Sequence, residues 1–455
     1  MATAPQNPPG NPSRTPPQPD PDLRTGLQFL RAGWFDRAEP LFRGALARHG
    51  ERPDILHYLA VCLSQRGAVQ EAEGLWRKAV AKDPSEPMLH YNLGLAARRQ
   101  GHLDEAARRF RDTIRRAPSH VEARLALASI HMDQAKFAAA ERELSEFVAN
   151  IDRAIQDHKA ETLKPLQARA RNMLGYCLYR LGQHSGALEV LDMALLDAGE
   201  EPTRRGQILG DRALALSALG HHDEAIAEIG RALEIVPENA ISNHALGFIL
   251  LHAGRPSDAI PPIEKALQLD PTFGQAYATL ASAQAAAGQA GRAAETLAGT
   301  LARNPLDRDA VLQLSSLHID QKRFEEAEKA LDPYLRAVPR DPRALNNHGL
   351  ALMGLQRFDD ARRALKRAAK VAPDDPFVLT NFGRALMGLG RAAEARVHHE
   401  HALRSLPGDS RLLVNYGLCL AALGDRDKAR ETLDAALAAN PDNEEALNAR
   451  ASIDA

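Results

Sequence analysis

Aromatic residues make up only 5% of the 455 positions, and there are just three cysteines. So few large rings cannot fill one broad central core, and close packing has to come from small side chains. Cys62, Cys177 and Cys419 lie far apart in the chain, which excludes a disulfide framework and a multi-thiolate metal centre. No apolar run approaches the ~20 residues of a membrane span, and the first residues hold no apolar signal core. No membrane insertion and a cytoplasmic location are expected. Charge of one sign is also missing: 57 Lys and Arg face 59 Asp and Glu, leaving −2. No global field draws in nucleic acid or an anionic surface. Arginine far outnumbers lysine, a bias expected of a GC-rich bacterial gene. There is no GxSxG, no Walker loop, no strand-borne GxGxxG and no HExxH, so the chain is expected not to be an enzyme and to need no cofactor or metal.

What the sequence does have is a period. Pro376–Pro407 superimposes on Ser410–Pro441 after a shift of 34 residues: Asn381 meets Asn415, Gly383 meets Gly417, Gly390 meets Gly424, Ala395 meets Ala429. The alanine extends backwards as Ala361, Ala327, Ala293, Ala259 and Ala225, then by steps of 38 and 47 to Ala187 and Ala140, then by 34 again to Ala106, Ala72 and Ala38. Twelve units with two length defects are a repeat architecture. A glycine recurs in the first half of the unit (Gly26, Gly94, Gly175, Gly247, Gly349, Gly383, Gly417), another in the middle (Gly33 through Gly424), and a proline closes most units. Small residues let two helices approach. The mid-unit glycine can take positive φ and stop the first helix. The proline stops the second. Phe42, Trp76, Phe110, Leu191, Leu365 and Leu433 are expected to fill the gap between units.

This unit resembles the tetratricopeptide repeat, a 34-residue helix–turn–helix, over about residues 22–441. The resemblance implies an all-α, right-handed α-solenoid of about twelve repeats. Residues 443–454 read as a short C-terminal capping helix, within a segment 442–455. Residues 1–21 are rich in proline and nearly devoid of apolar side chains, so they are expected to be disordered. Repeats one to four cover 22–148. A helical insertion, 149–169, carries 13 extra residues and is the candidate hinge. Repeats five to twelve cover 170–441, with four extra residues at Gly199–Thr203. In repeat seven, a cap at Ser257 would put Pro261 at the fourth helical position, predicting a distorted first turn.

The chemistry-bearing residues are few. The three cysteines share one small apolar slot of the unit. His398 and His401 are at i, i+3 on one helix, but His399 occupies the large packing position, so no metal site is expected. Acidic residues interrupt the arginines between Arg98 and Arg116 and no aromatics interleave them, so a solvated face is expected and not a nucleic-acid patch. Arg98 and Arg99 differ in lying late in a first helix. Asn347, Asn381 and Asn415 hold one position in three consecutive repeats, and Asn92 holds it in repeat three. In the family, first helices line a concave groove and this position faces it. An amide offers a donor and an acceptor to a peptide backbone, and the arrangement is similar to the asparagine ladder of O-linked N-acetylglucosamine transferase. The pattern that clamps chaperone carboxylates is only partly present. The resemblance thus implies a non-catalytic adaptor binding an extended peptide or partner helix at Asn92, Asn347, Asn381 and Asn415, with Phe377, Arg384, Arg411, Arg98 and Arg99 flanking. The alternative is a self-assembling scaffold, a homo-oligomer.

Overall fold

A computed structural model of the chain describes residues 20–158 and 161–454. The proline-rich segment expected to be disordered lies, up to residue 19, outside the described residues. The described residues contain 25 α-helices, one 3-10 turn at Glu161–Leu163 and no strand. None of these helices is long and apolar enough to cross a membrane. The helices form hairpins in the expected register, for example Pro87–Arg99 with Leu103–Arg116 and Pro376–Gly388 with Ala392–Ser405, and Glu444–Asp454 packs on the last hairpin. The chain is an all-α solenoid. It divides into two compact units, Met1–Gly220 and His221–Ala455, and the break falls between the two helices of repeat six.

The hairpin follows from a size rule. All twelve periodic alanines, Ala38 to Ala429, are completely buried. Sixteen residues after each small first-helix position stands a large one, and it packs on that position within its own repeat. A Cβ on Gly94 would lie 2.6 Å from the Phe110 ring, on Gly175 2.5 Å from Leu191, and on Gly349 2.5 Å from Leu365. The large residues therefore seal each hairpin first and were misplaced in being assigned to the gap between units. Phe42 does both, since its ring also lies 5.5 Å from Tyr58 of the next repeat.

Turn chemistry agrees with the pattern and extends it. Each mid-unit glycine from Gly33 to Gly424 has positive φ. Except after Gly220, the next residue donates to the carbonyl five positions back, as Arg391 does to Leu386 at 2.9 Å, which ends the first helix. Three repeats make the same turn without glycine: Ala135, Lys322 and Gln356 hold φ of 56°, 59° and 59°. Most first helices start on side-chain caps, those at Pro53, Lys164 and Gly274 excepted. Asp341, Asp375 and Asp409 each accept two backbone N–H groups at 2.9–3.1 Å.

The irregularities resolve as follows. The second helix of repeat four runs long, Phe137–His158. The chain then turns at Glu161–Leu163, and Pro165 suits the start of the next helix, Lys164–Arg180. This segment lies inside the first unit. In repeat seven the helix is Pro256–Leu269, entered from Arg255, so Ser257 is not its cap. Pro256 takes the first helical position, and Pro261 and Pro262 sit inside an unbroken helix. The three cysteines are buried, with burial pushing their thiols up to about 11, 12 and 11.

One residue departs from the apolar column. His399 stands where Leu365 and Leu433 stand, 1% exposed and over Gly383, and neither ring nitrogen has a hydrogen-bond partner. Burial, with the charges of His398 and Arg384, lowers its pKa to about 4 from 6.5.

Two outcomes are expected. Gln356→Gly or Lys322→Gly should raise stability by about 0.5–1 kcal/mol. Left-handed strain of roughly 1–2 kcal/mol is relieved, less the entropy glycine adds to the unfolded chain. Denaturant melts of single variants measure it, with Gly390→Gln shifting the other way. His399→Leu should stabilise the C-terminal unit by about 1–3 kcal/mol through removal of unpartnered polar atoms. Because the folded state refuses a proton that the unfolded state accepts, wild-type stability falls as pH drops from about 6.5 to about 4, by up to roughly 3 kcal/mol. Thermal midpoints taken across that window should decline less in the leucine variant.

Candidate functional site

In the second unit each first helix touches the first helix of the next repeat. Arg308–Asp320 meets Pro342–Gly354, which meets Pro376–Gly388, which meets Ser410–Ala422. No two second helices approach comparably among the described residues. The stack is therefore tighter on its first-helix side, and that side is the inside of the curve.

The asparagines lie on this inner layer, half-buried, and their amides tie it together. Asn347 Nδ2 donates to Ser315 Oγ at 3.0 Å and to the Leu312 carbonyl at 3.4 Å, both on the preceding first helix. Asn381 Nδ2 donates to Asn346 Oδ1 at 2.9 Å, and its own Oδ1 accepts from Arg384 at 3.3 Å. Asn415 Nδ2 turns back to the Arg411 carbonyl at 2.7 Å. Among the described residues, neither Asn347 nor Asn415 has a partner on Oδ1. The donor half of each amide is thus used inside the protein, and on Asn347 and Asn415 the acceptor half is open.

Of the flanking groups, Phe377, Arg384, Arg411 and Arg99 are exposed and Arg98 is half-buried. Arg411 lies over the Phe377 ring at 5.3 Å, a cation–π contact that fixes two large side chains beside the asparagines. Phe377 is 43% exposed. Asn92, Arg98 and Arg99 belong to the first unit, on Pro87–Arg99. Arg98 donates to Ser129 Oγ at 2.9 Å and pairs with Asp133 at 3.2 Å, and Arg99 donates to Ser64 Oγ at 2.9 Å. Both arginines bridge to neighbouring first helices. Neighbouring arginines pair with carboxylates: Arg109 with Glu105, and Arg115 and Arg116 with Asp112. His398 stacks on Phe382 and His401 meets Asp374 at 3.0 Å. Among the described residues no three His, Cys, Asp or Glu groups are placed to hold a metal.

Sequence reasoning missed that the asparagine register continues in other chemistry. Thr279 holds it in repeat eight, and its hydroxyl meets His244 of the preceding first helix at 2.9 Å. Asp211 holds it in repeat six and hydrogen-bonds Asn172 of repeat five, at the place of Asn346. Burial raises the Asp211 carboxyl from 3.8 to about 7, with Asn172 opposing. The signal was available in the sequence: a polar residue at this position faces another placed one residue earlier in the preceding repeat.

Fold and inner layer together define a solenoid of helical hairpins. Tetratricopeptide repeat models match residues 23–87, 91–152, 148–201, 211–272 and 346–409, and a second such model matches 250–311, 284–346 and 386–453. The chain belongs to the tetratricopeptide repeat family, and it is a protein-interaction scaffold in that sense. Among curated proteins none matches. Solved structures similar to it include the APC/C hetero-tetramer Cut9–Hcn1, 15% identical over 95% of this chain and 96% of that one, TM-score 0.46. Yeast Tom70 is 16% identical over 95% and 94%, TM-score 0.45. A tetratricopeptide repeat protein from Parabacteroides merdae is 18% identical over 55% and 99%, TM-score 0.47.

Asp211→Asn should convert an acidic rung into the amide rung seen at Asn346–Asn381. The folded carboxyl holds its proton to higher pH than the unfolded one, so its cost appears as pH rises from about 4 to about 7. Thermal melts should show the variant stabilised at pH 8 by roughly 2 kcal/mol, after discounting for partial exposure, and equal to wild type at pH 4.

Proposed function

We propose that the chain is a non-catalytic adaptor that holds an extended peptide along the inner face of its second unit. The observation that carries this reading is the open amide oxygen on Asn347 and on Asn415, on first helices of one continuous inner layer. A carbonyl oxygen accepts a backbone N–H whatever the ligand's side chains, so it binds a main chain without reading its sequence. Neighbouring first helices lie ~8–10 Å apart, which matches about every third residue of a strand at ~3.3 Å per residue. Phe377 and Arg411 then offer an apolar contact and a cation to side chains at one end of the run. The reading places the protein in the cytoplasm and gives it no cofactor.

Since Asn347 and Asn381 also bridge helices, replacing them weakens the stack as well as the site. The test selects ligands from a random extended-peptide library on the full chain. Affinities are then compared with the Asn347→Ala, Asn381→Ala, Asn415→Ala triple variant, well below its melting temperature. Losing two or three net hydrogen bonds of ~0.5–1.5 kcal/mol each should weaken binding roughly 10- to 100-fold. Proline or N-methyl residues placed opposite the asparagines should weaken wild-type binding similarly. Equal affinity in both proteins would remove the ladder. Sedimentation over a concentration range addresses the scaffold alternative, which predicts growth with concentration where the adaptor stays monomeric.

A further inference from the structure

The first unit carries two adjoining clefts that the asparagine register does not use. One, about 470 Å3, opens between the first helices of repeats two and three, walled by Tyr58, His57 and Leu89 and rimmed by Asp54, Asp83 and Glu86. The other, about 660 Å3, lies between Tyr91 and His120 on one side and Leu163 and Leu166 on the other. Met88 lines both clefts and is 41% exposed. Leu163 and Leu166 belong to the extra segment after repeat four, which a regular repeat does not need. That segment supplies the far wall of a cleft.

The lining is one-sided in charge. No lysine or arginine lines either cleft. Asp54 is paired with Arg52 at 2.7 Å. Asp83 accepts from Ser85 and from the Glu86 backbone with no cation beside it, and Glu86 spends one oxygen on the Met88 N–H at 3.2 Å. Arg169 bears on Tyr91 electrostatically without lining the cleft, and Glu122 lines the same cleft with the opposite charge. Burial lowers the His57 pKa from its usual value, against the opposing charges of Glu86 and Asp54, which disfavours a compensating positive charge on the ring. The second cleft is mainly apolar and aromatic, with Tyr91 and His120 in ring contact at 4.7 Å.

We propose that these clefts are a second peptide site, for an extended segment with a lysine or arginine and a large apolar side chain about three residues apart. The cation sits among Asp54, Asp83 and Glu86. The backbone crosses Met88, and the apolar side chain enters between Tyr91 and the Leu163–Leu166 wall. The spacing follows from neighbouring first helices at ~8–10 Å and a strand rise of ~3.3 Å. This site is independent of the asparagine groove in position and in chemistry: there a main chain is held, here a charge and an apolar group are recognised.

The test uses the full chain and fluorescent Ser/Thr nonapeptides carrying one lysine and one phenylalanine separated by zero to five residues, read by anisotropy. Peptides with one or two intervening residues should bind best. Lys→Glu in the peptide should abolish binding. The protein variants Glu86→Gln and Asp83→Asn, which keep the local hydrogen-bond acceptors, should weaken it about tenfold or more, as expected for a charged contact. They should also flatten its salt dependence. Leu163→Ser with Leu166→Ser should weaken only peptides that contain phenylalanine, and thermal melts confirm that the variants are folded. The asparagine triple variant should bind these peptides like wild type, so failure here and failure of the groove reading are told apart. Indifference to lysine or to spacing, or unchanged affinity in the Glu86 and Asp83 variants, overturns the proposal. So does self-association of the chain that Met88→Lys abolishes, which would assign the clefts to a second copy.

Discussion

Everything in this molecule depends on how closely two helices of one hairpin can approach. A glycine or alanine on the first helix meets a large side chain sixteen residues later, and a buried alanine stands four residues before that side chain. With nothing on the glycine, the ring of Phe110 or the fork of Leu365 sits almost on the opposing backbone. The hairpin closes on this contact, and the closed hairpin presents a flat apolar side to its neighbour. Stability then comes from nearest-neighbour interfaces and not from one deep core, which is why a chain with so few aromatics can be this long.

The period made the fold legible. Small residues at fixed intervals, a turn glycine and a closing proline specify a hairpin with no reference to distant contacts, and they placed the helices correctly in nearly all repeats. Failures came where local chemistry had two solutions. Ser257 is a good cap, but Pro256 before it is a better first helical residue, and the helix starts there. Lys322 and Gln356 break the glycine rule because the surrounding hydrogen bonds over-determine the turn. Large residues looked like spacers between repeats because sequence cannot say which of two neighbours a side chain meets first.

The candidate site was legible only as a position. Sequence put Asn347, Asn381 and Asn415 in one register, but an amide has two ends, and which end is spent depends on the neighbouring helix. Ser315 and Asn346 take the donors of two of them. The Asn381–Asn346 pairing joins a position to one a residue earlier in the preceding repeat, and Asn347 reaches Ser315, two residues later, so a reading aligned strictly at 34 sees neither. Nor could the sequence show that the insertion after repeat four walls a cleft, because that depends on where the chain returns.

Within each unit, first helices are stitched to their neighbours by rungs of unlike chemistry: Asp211 with Asn172 in the first, His244 with Thr279 and Asn381 with Asn346 in the second. Each joins only two adjacent helices. A solenoid of this kind behaves as a row of separate clasps, each with its own sensitivity to acidity and to competing amides. Undoing one loosens the spacing of a single pair of repeats and leaves the pitch elsewhere intact. Local compliance is thereby written into the chain one residue at a time.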